Sequence, residues 1–83
     1  MIRAAVVDRQ EVSAGYVYRM DVKTIGLTDA AEWMGMERTC CPFLTLAISV
    51  TGDMQDWWLT LTGPDGVKAL LDLEFPDAAA GAK

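Results

Sequence analysis

From Phe43 to Thr51 the chain alternates Leu44, Leu46, Ile48 and Val50 with Thr45, Ala47, Ser49 and Thr51, the period of two that marks a β-strand with one buried face. Such a strand is not stable alone. It needs partner strands and an apolar cover over its inner face, and the rest of the chain has to supply both. After the turn residues Gly52-Asp53, a return strand from Asp56 to Thr62 points Trp57, Leu59 and Leu61 inward and Trp58, Thr60 and Thr62 outward. Val67, Leu70, Leu71 and Phe75 then share one helical stripe. Gly63-Pro64-Asp65 opens that helix, with proline at the first position where its missing N–H costs nothing, and Pro76 closes it.

The first half of the chain follows the same plan. An apolar segment, Ile2 to Val7, leads through turn-forming residues Asp8 to Gly15 into a second strand at residues 16–22. There Tyr16, Tyr18, Met20 and Val22 alternate with Val17, Arg19 and Asp21. Thr28 is the expected N-cap of a helix from Asp29 to Cys40, with Asp29 and Glu32 in its first turn, where the helix dipole favours negative charge. Pro42 pushes Cys41 toward extended geometry and ends it. The expected order is ββαββα: an α+β fold, a two-layer sandwich of a four-stranded sheet with two helices on one face. Its core is predicted from Tyr18, Met20, Leu46, Ile48, Leu59 and Leu61 against Met34, Leu70 and Leu71. At 83 residues the chain makes a single domain, expected over residues 1–76, with 77–83 as a frayed tail. With both helices on one side, the other face, carrying Val17, Phe43, Thr45, Ala47 and Trp58 among the few charges Arg19 and Asp21, is left uncovered. A homodimer is the expectation, formed face to face or by joining edge strands.

Composition matters here for what it removes. There is no histidine, so no Ser-His-Asp or Cys-His pair, imidazole acid–base chemistry or His-ligated zinc can be built within one chain. Twelve acidic residues against seven basic ones give a net charge of −5, a field that repels phosphate, so neither nucleic acid nor an anionic membrane surface is an expected partner. The residues after Met1-Ile2-Arg3 form no signal-peptide core, no segment has the length of a membrane span, and two adjacent cysteines are no disulfide framework. The expected setting is reducing and cytoplasmic.

Chemistry concentrates in Glu37-Arg38-Thr39-Cys40-Cys41-Pro42-Phe43. Positions 37, 40 and 41 are spaced i, i+3 and i+4, so on a helix the carboxylate and both thiols share a side, and Glu37 set toward the core is expected to meet an arginine, a hydroxyl or backbone N–H groups. Adjacent Cα atoms are about 3.8 Å apart, below the roughly 4.4–6.8 Å that disulfides span, which predicts two free thiols. Gly63-Pro64-Asp65-Gly66 lacks the Gly-Lys-Ser/Thr of a phosphate loop and reads as a turn. The carboxylates show no recognisable catalytic spacing.

The run Glu37-x-x-Cys40-Cys41-Pro42-Phe43-Leu44, together with Trp57-x-Leu59-x-Leu61-Thr62-Gly63-Pro64-x-Gly66, resembles a group of small bacterial proteins of unassigned function. The resemblance covers about residues 15–75 and implies one compact domain with a vicinal cysteine pair. It brings no activity with it. From the residues themselves three readings of the cysteines stand side by side: small apolar residues filling the corner between helix and strand, ligands with Glu37 for a soft metal, and redox thiols. A metal shell would be Cu(I) on two sulfurs, or zinc completed by a second chain. The negative end of the helix opposes a thiolate at either position, which disfavours the redox reading. The resulting expectation is a non-enzymatic, self-associating binding or assembly module. The alternative is a soft-metal or thiol-redox protein using Glu37, Cys40 and Cys41.

Overall fold

A computed structural model describes residues 5–52 and 56–75. The elements run β1 (Val6–Val12), β2 (Gly15–Met20), α1 (Leu27–Cys40), β3 (Thr45–Val50), β4 (Trp57–Thr62) and α2 (Val67–Glu74), the expected ββαββα order. All pairings are antiparallel, and the strands lie in the order β1-β2-β4-β3. Each half contributes one hairpin, and the two hairpins join through β2 and β4 at the centre. The register sets Tyr16, Leu61 and Leu46 in one row across the sheet and Tyr18, Leu59 and Ile48 in the next. Period-2 alternation therefore gathers the large apolar side chains on one face.

That face is the core. Tyr18, Met20, Trp57, Leu59 and Leu61 are buried, covered by Val67, Leu71 and Phe75 from α2 and its end and by Ala30 from α1. Phe75 stacks on Tyr18 with ring centroids 4.7 Å apart. Leu46 and Ile48, expected in the core, only pack against its margin, because β3 is an edge strand and has a neighbour on one side alone. Met34 and Leu70 are likewise half-buried. Apolar residues are spread around α1 rather than gathered on a stripe, and Ala30 is the buried residue it contributes. The first helix is thus a thin cover, with its start fixed by the Trp57 indole N–H donating to the Ile25 carbonyl at 3.2 Å.

Four boundaries differ from the expectation, each for an identifiable reason. Residues 8–12, read as turn, belong to β1, and Arg9 and Glu11 lie on the inner side, where α2 gives both a partner. Arg9 meets Asp72 at 2.6 Å and lies 4.0 Å over the Tyr16 ring, and Glu11 pairs with Lys68. A charged strand is tolerated here because a helix supplies the opposite charges. β2 stops at Met20 rather than Val22, since the Asp21 carboxylate accepts from the Lys23 N–H at 3.1 Å and the Thr24 hydroxyl at 2.7 Å and turns the chain. The cap of α1 is Gly26, with no side-chain cap bond, so Thr28 sits inside the first turn. Finally, α2 begins at Val67, after Gly66 at φ 91°. Residues 63–66 form the turn that holds Pro64, whose carbonyl accepts from the Val67 N–H at 3.1 Å. The expected stop at Pro76, the strand start at Ile2 and the tail at 77–83 lie outside the described residues.

The outer face is more polar than anticipated. Val17 pairs with Thr60 and Thr60 with Ala47, while Arg19 pairs with Trp58 and Trp58 with Ser49. Arg19 also meets Asp56 at 3.2 Å. Phe43 precedes β3 instead of lying in it.

Candidate metal site

The corner between α1 and β3 is built by backbone hydrogen bonds. The Cys41 N–H donates to the Glu37 carbonyl at 2.7 Å, closing the last turn of α1, and the Leu44 N–H donates to the Cys41 carbonyl at 3.1 Å, turning the chain past Pro42 into β3. Helical spacing brings the side chains of Glu37 and Cys41 together one turn apart. The end of α2 adds Glu74, so that one donor atom from each of Glu37, Cys41 and Glu74 lies within 4.8 Å of the other two. Glu37 and Cys41 are half-buried and Glu74 is exposed.

Of the three residues expected from sequence, Glu37 and Cys41 are therefore assembled and Cys40 stands outside the group. Cys40 is exposed, and both cysteines are free. Cys40 still acts on its neighbour. Burial, then hydrogen bonds to Glu37 and Cys40, push the Cys41 thiol up to about 11 from an ordinary 9.0. The partner of Glu37 is thus the Cys41 thiol, which donates its proton to the carboxylate, and not the arginine, hydroxyl or backbone N–H groups expected from sequence.

Glu74 was not identifiable from the sequence, because no local motif ties it to Cys41 and only the packing of α2 brings it near. Its arrival concentrates negative character. Two carboxylates and one thiol, carried at the C-terminal ends of two helices, come together there, and helix C-termini carry partial negative charge. Such a corner favours a cation. The hollow at the start of α2, lined by Ser13, Asp65, Gly66 and Lys68 among others, is the turn already described, and Asp65 in its wall would repel a phosphate.

The chain matches no protein-family model, no curated protein and no solved structure.

Proposed function

We propose that this domain binds a divalent transition-metal ion, zinc above all, through Glu37, Cys41 and Glu74, with Cys40 or water as fourth ligand. The observation that carries the reading is the convergence of two carboxylates and one thiol, from the ends of two helices, to within 4.8 Å of one another. Zn–O and Zn–S bonds of about 2.0–2.3 Å around a tetrahedral ion separate ligand atoms by roughly 3.3–3.8 Å. Side-chain adjustment of about 1 Å closes the group to that size. A mixed oxygen and sulfur set suits borderline zinc better than Cu(I), which would use the two sulfurs alone.

A redox or nucleophilic role fits less well. A thiol with a pKa of about 11 is thiolate in only about one molecule in ten thousand at pH 7, the reverse of an activated cysteine. A metal ion overcomes that barrier by displacing the proton as it binds.

The test is titration of freshly reduced protein with Zn(II), followed by calorimetry and native mass spectrometry. One ion per chain is expected, with affinity lowered roughly a hundredfold in Cys41→Ser, about 2.7 kcal/mol. Glu74→Gln should lower it by roughly tenfold. Retention of no ion would end the proposal. Cu(I) binding that is insensitive to Glu74→Gln and lost in Cys40→Ser would replace it with a two-sulfur site.

A further inference from the structure

The two edges of the sheet are treated differently. β1 is an awkward partner for another strand. It carries Asp8, Arg9 and Glu11, and its pairing with β2 shifts register between Val6 and Asp8. Charges and irregularities are the usual means by which a sheet edge avoids joining another. β3 has neither. Thr45-Leu46-Ala47-Ile48-Ser49-Val50 contains no charge and no proline, and its register against β4 is unbroken over all six residues. Among the described residues, no backbone hydrogen bond reaches β3 from its outer side. Its inner side chains end in the open: Leu46 and Ile48 are half-buried, and Val50 is 53% exposed.

We infer that β3 is a homodimer edge, pairing antiparallel with β3 of a second copy across a two-fold axis to make one continuous eight-stranded sheet. A second copy is the fitting occupant because the strand is its own complement. In an antiparallel pair, opposed residues share a face, so Ile48 opposes Ile48 of the partner subunit and Leu46 opposes the partner's Val50. This register extends the apolar inner row across the axis and covers the exposed end of β3. On the outer side, Ala47 opposes the partner's Ser49, two small residues that admit close pairing. The net charge of −5 does not oppose the contact, since none of it lies on the strand. The outer sheet face, lined by Thr45, Thr60, Thr62 and Ser49 around Trp58, is a poorer surface for face-to-face stacking. Joining the strands leaves it in solvent.

Where a metal ion binds as proposed above, this pairing also fixes the distance between the two sites. The Cys41 corner adjoins the start of β3, and antiparallel pairing sets the two starts at opposite ends of the joint, roughly 20 Å apart for six residues. Each corner then completes an ion's shell from its own chain, and no ion is shared between sulfurs of two copies.

The test is sedimentation of the full chain at high micromolar concentration, with and without zinc. A mass of twice 9.1 kDa is expected in both conditions. Ala47 and Ser49 are both exposed, so the double variant Ala47→Glu, Ser49→Glu should fold, as circular dichroism will report. It should also sediment as monomer, because four carboxylates face one another. The variant Ala47→Lys, Ser49→Lys should be monomeric too, and mixing the two should restore a dimer. A monomeric wild-type chain, or a glutamate variant that dimerises as well as wild type, would overturn the inference. So would a dimer seen only with zinc.

Discussion

Replacing Tyr18 by phenylalanine should make this protein more stable. Tyr18 sits at the centre of β2, fully buried between Tyr16 and Phe75. Among the described residues no hydrogen bond of sound geometry ends on its hydroxyl, the Arg9 guanidinium making only a weak polar contact with it. The surroundings explain why. Burial holds the phenol well above the ordinary tyrosine range, and Arg9, close enough to oppose that rise, has its guanidinium engaged by Asp72 and the Tyr16 ring. A buried hydroxyl left without a partner costs about 1–3 kcal/mol. Phenylalanine removes the oxygen and keeps the ring, so the stack on Phe75 at 4.7 Å is retained. Allowing about 1 kcal/mol for relaxation and for the lost field of Arg9, the gain is roughly 1–2 kcal/mol. For a domain of this size each kcal/mol moves Tm by about 4–8 °C, so Tyr18→Phe should melt roughly 5–15 °C higher. Thermal and urea unfolding, read by the fluorescence of buried Trp57, measures it. A melting temperature below wild type would mean that the hydroxyl has a partner, and the argument from its burial would fail.

Gly15→Ala should abolish folding, because a Cβ there would sit 1.9 Å from the Leu61 carbonyl oxygen on the neighbouring strand; a cooperative melt within a few degrees of wild type would refute the close approach of β2 and β4. Stability should fall in acid. The Glu11 carboxyl is held below its ordinary 4.5 by the Lys68 hydrogen bond, and that of Asp21 below its ordinary 3.8 by Thr24 and the Lys23 N–H. Both contribute stability at neutral pH that is lost as pH drops through their lowered values, and Glu11→Gln should flatten that slope in a series of melts. Stability should also fall in base, because Cys41 ionises near 9.0 when unfolded and about 11 when folded, so unfolding releases a proton between those values. The fall should vanish in Cys41→Ser. Alkylation at pH 8 should modify Cys41 more slowly than a free thiol reagent of ordinary pKa, and mass mapping that finds Cys41 modified at the free-thiol rate would contradict its environment.

Much of the fold could be read from residue order alone. The inward rows Tyr16, Tyr18, Met20 and Trp57, Leu59, Leu61 follow from alternation, which is a local property, and the helices follow from local spacing and turn residues. The same local spacing brings Glu37 and Cys41 together, one helical turn apart. Local pattern fails where a distant partner changes a local preference. Asp8 to Val12 looked like a turn because its charges are costly in a strand, and only the arrival of Asp72 and Lys68 from α2 makes Arg9 and Glu11 acceptable there.

Element order, the buried faces of the central strands and the nearness of Glu37 to the cysteines at the end of α1 are written in residue order, since each rests on residues within a turn or two of one another. Long-range packing set which strands are edges, and so why Leu46 and Ile48 remain half-buried. It also decided that Glu74, and not Cys40, joins Glu37 and Cys41. Those outcomes depend on how two hairpins join and on how α2 crosses them. Packing of that kind is settled by the burial of the whole apolar face at once, which no short stretch of sequence encodes.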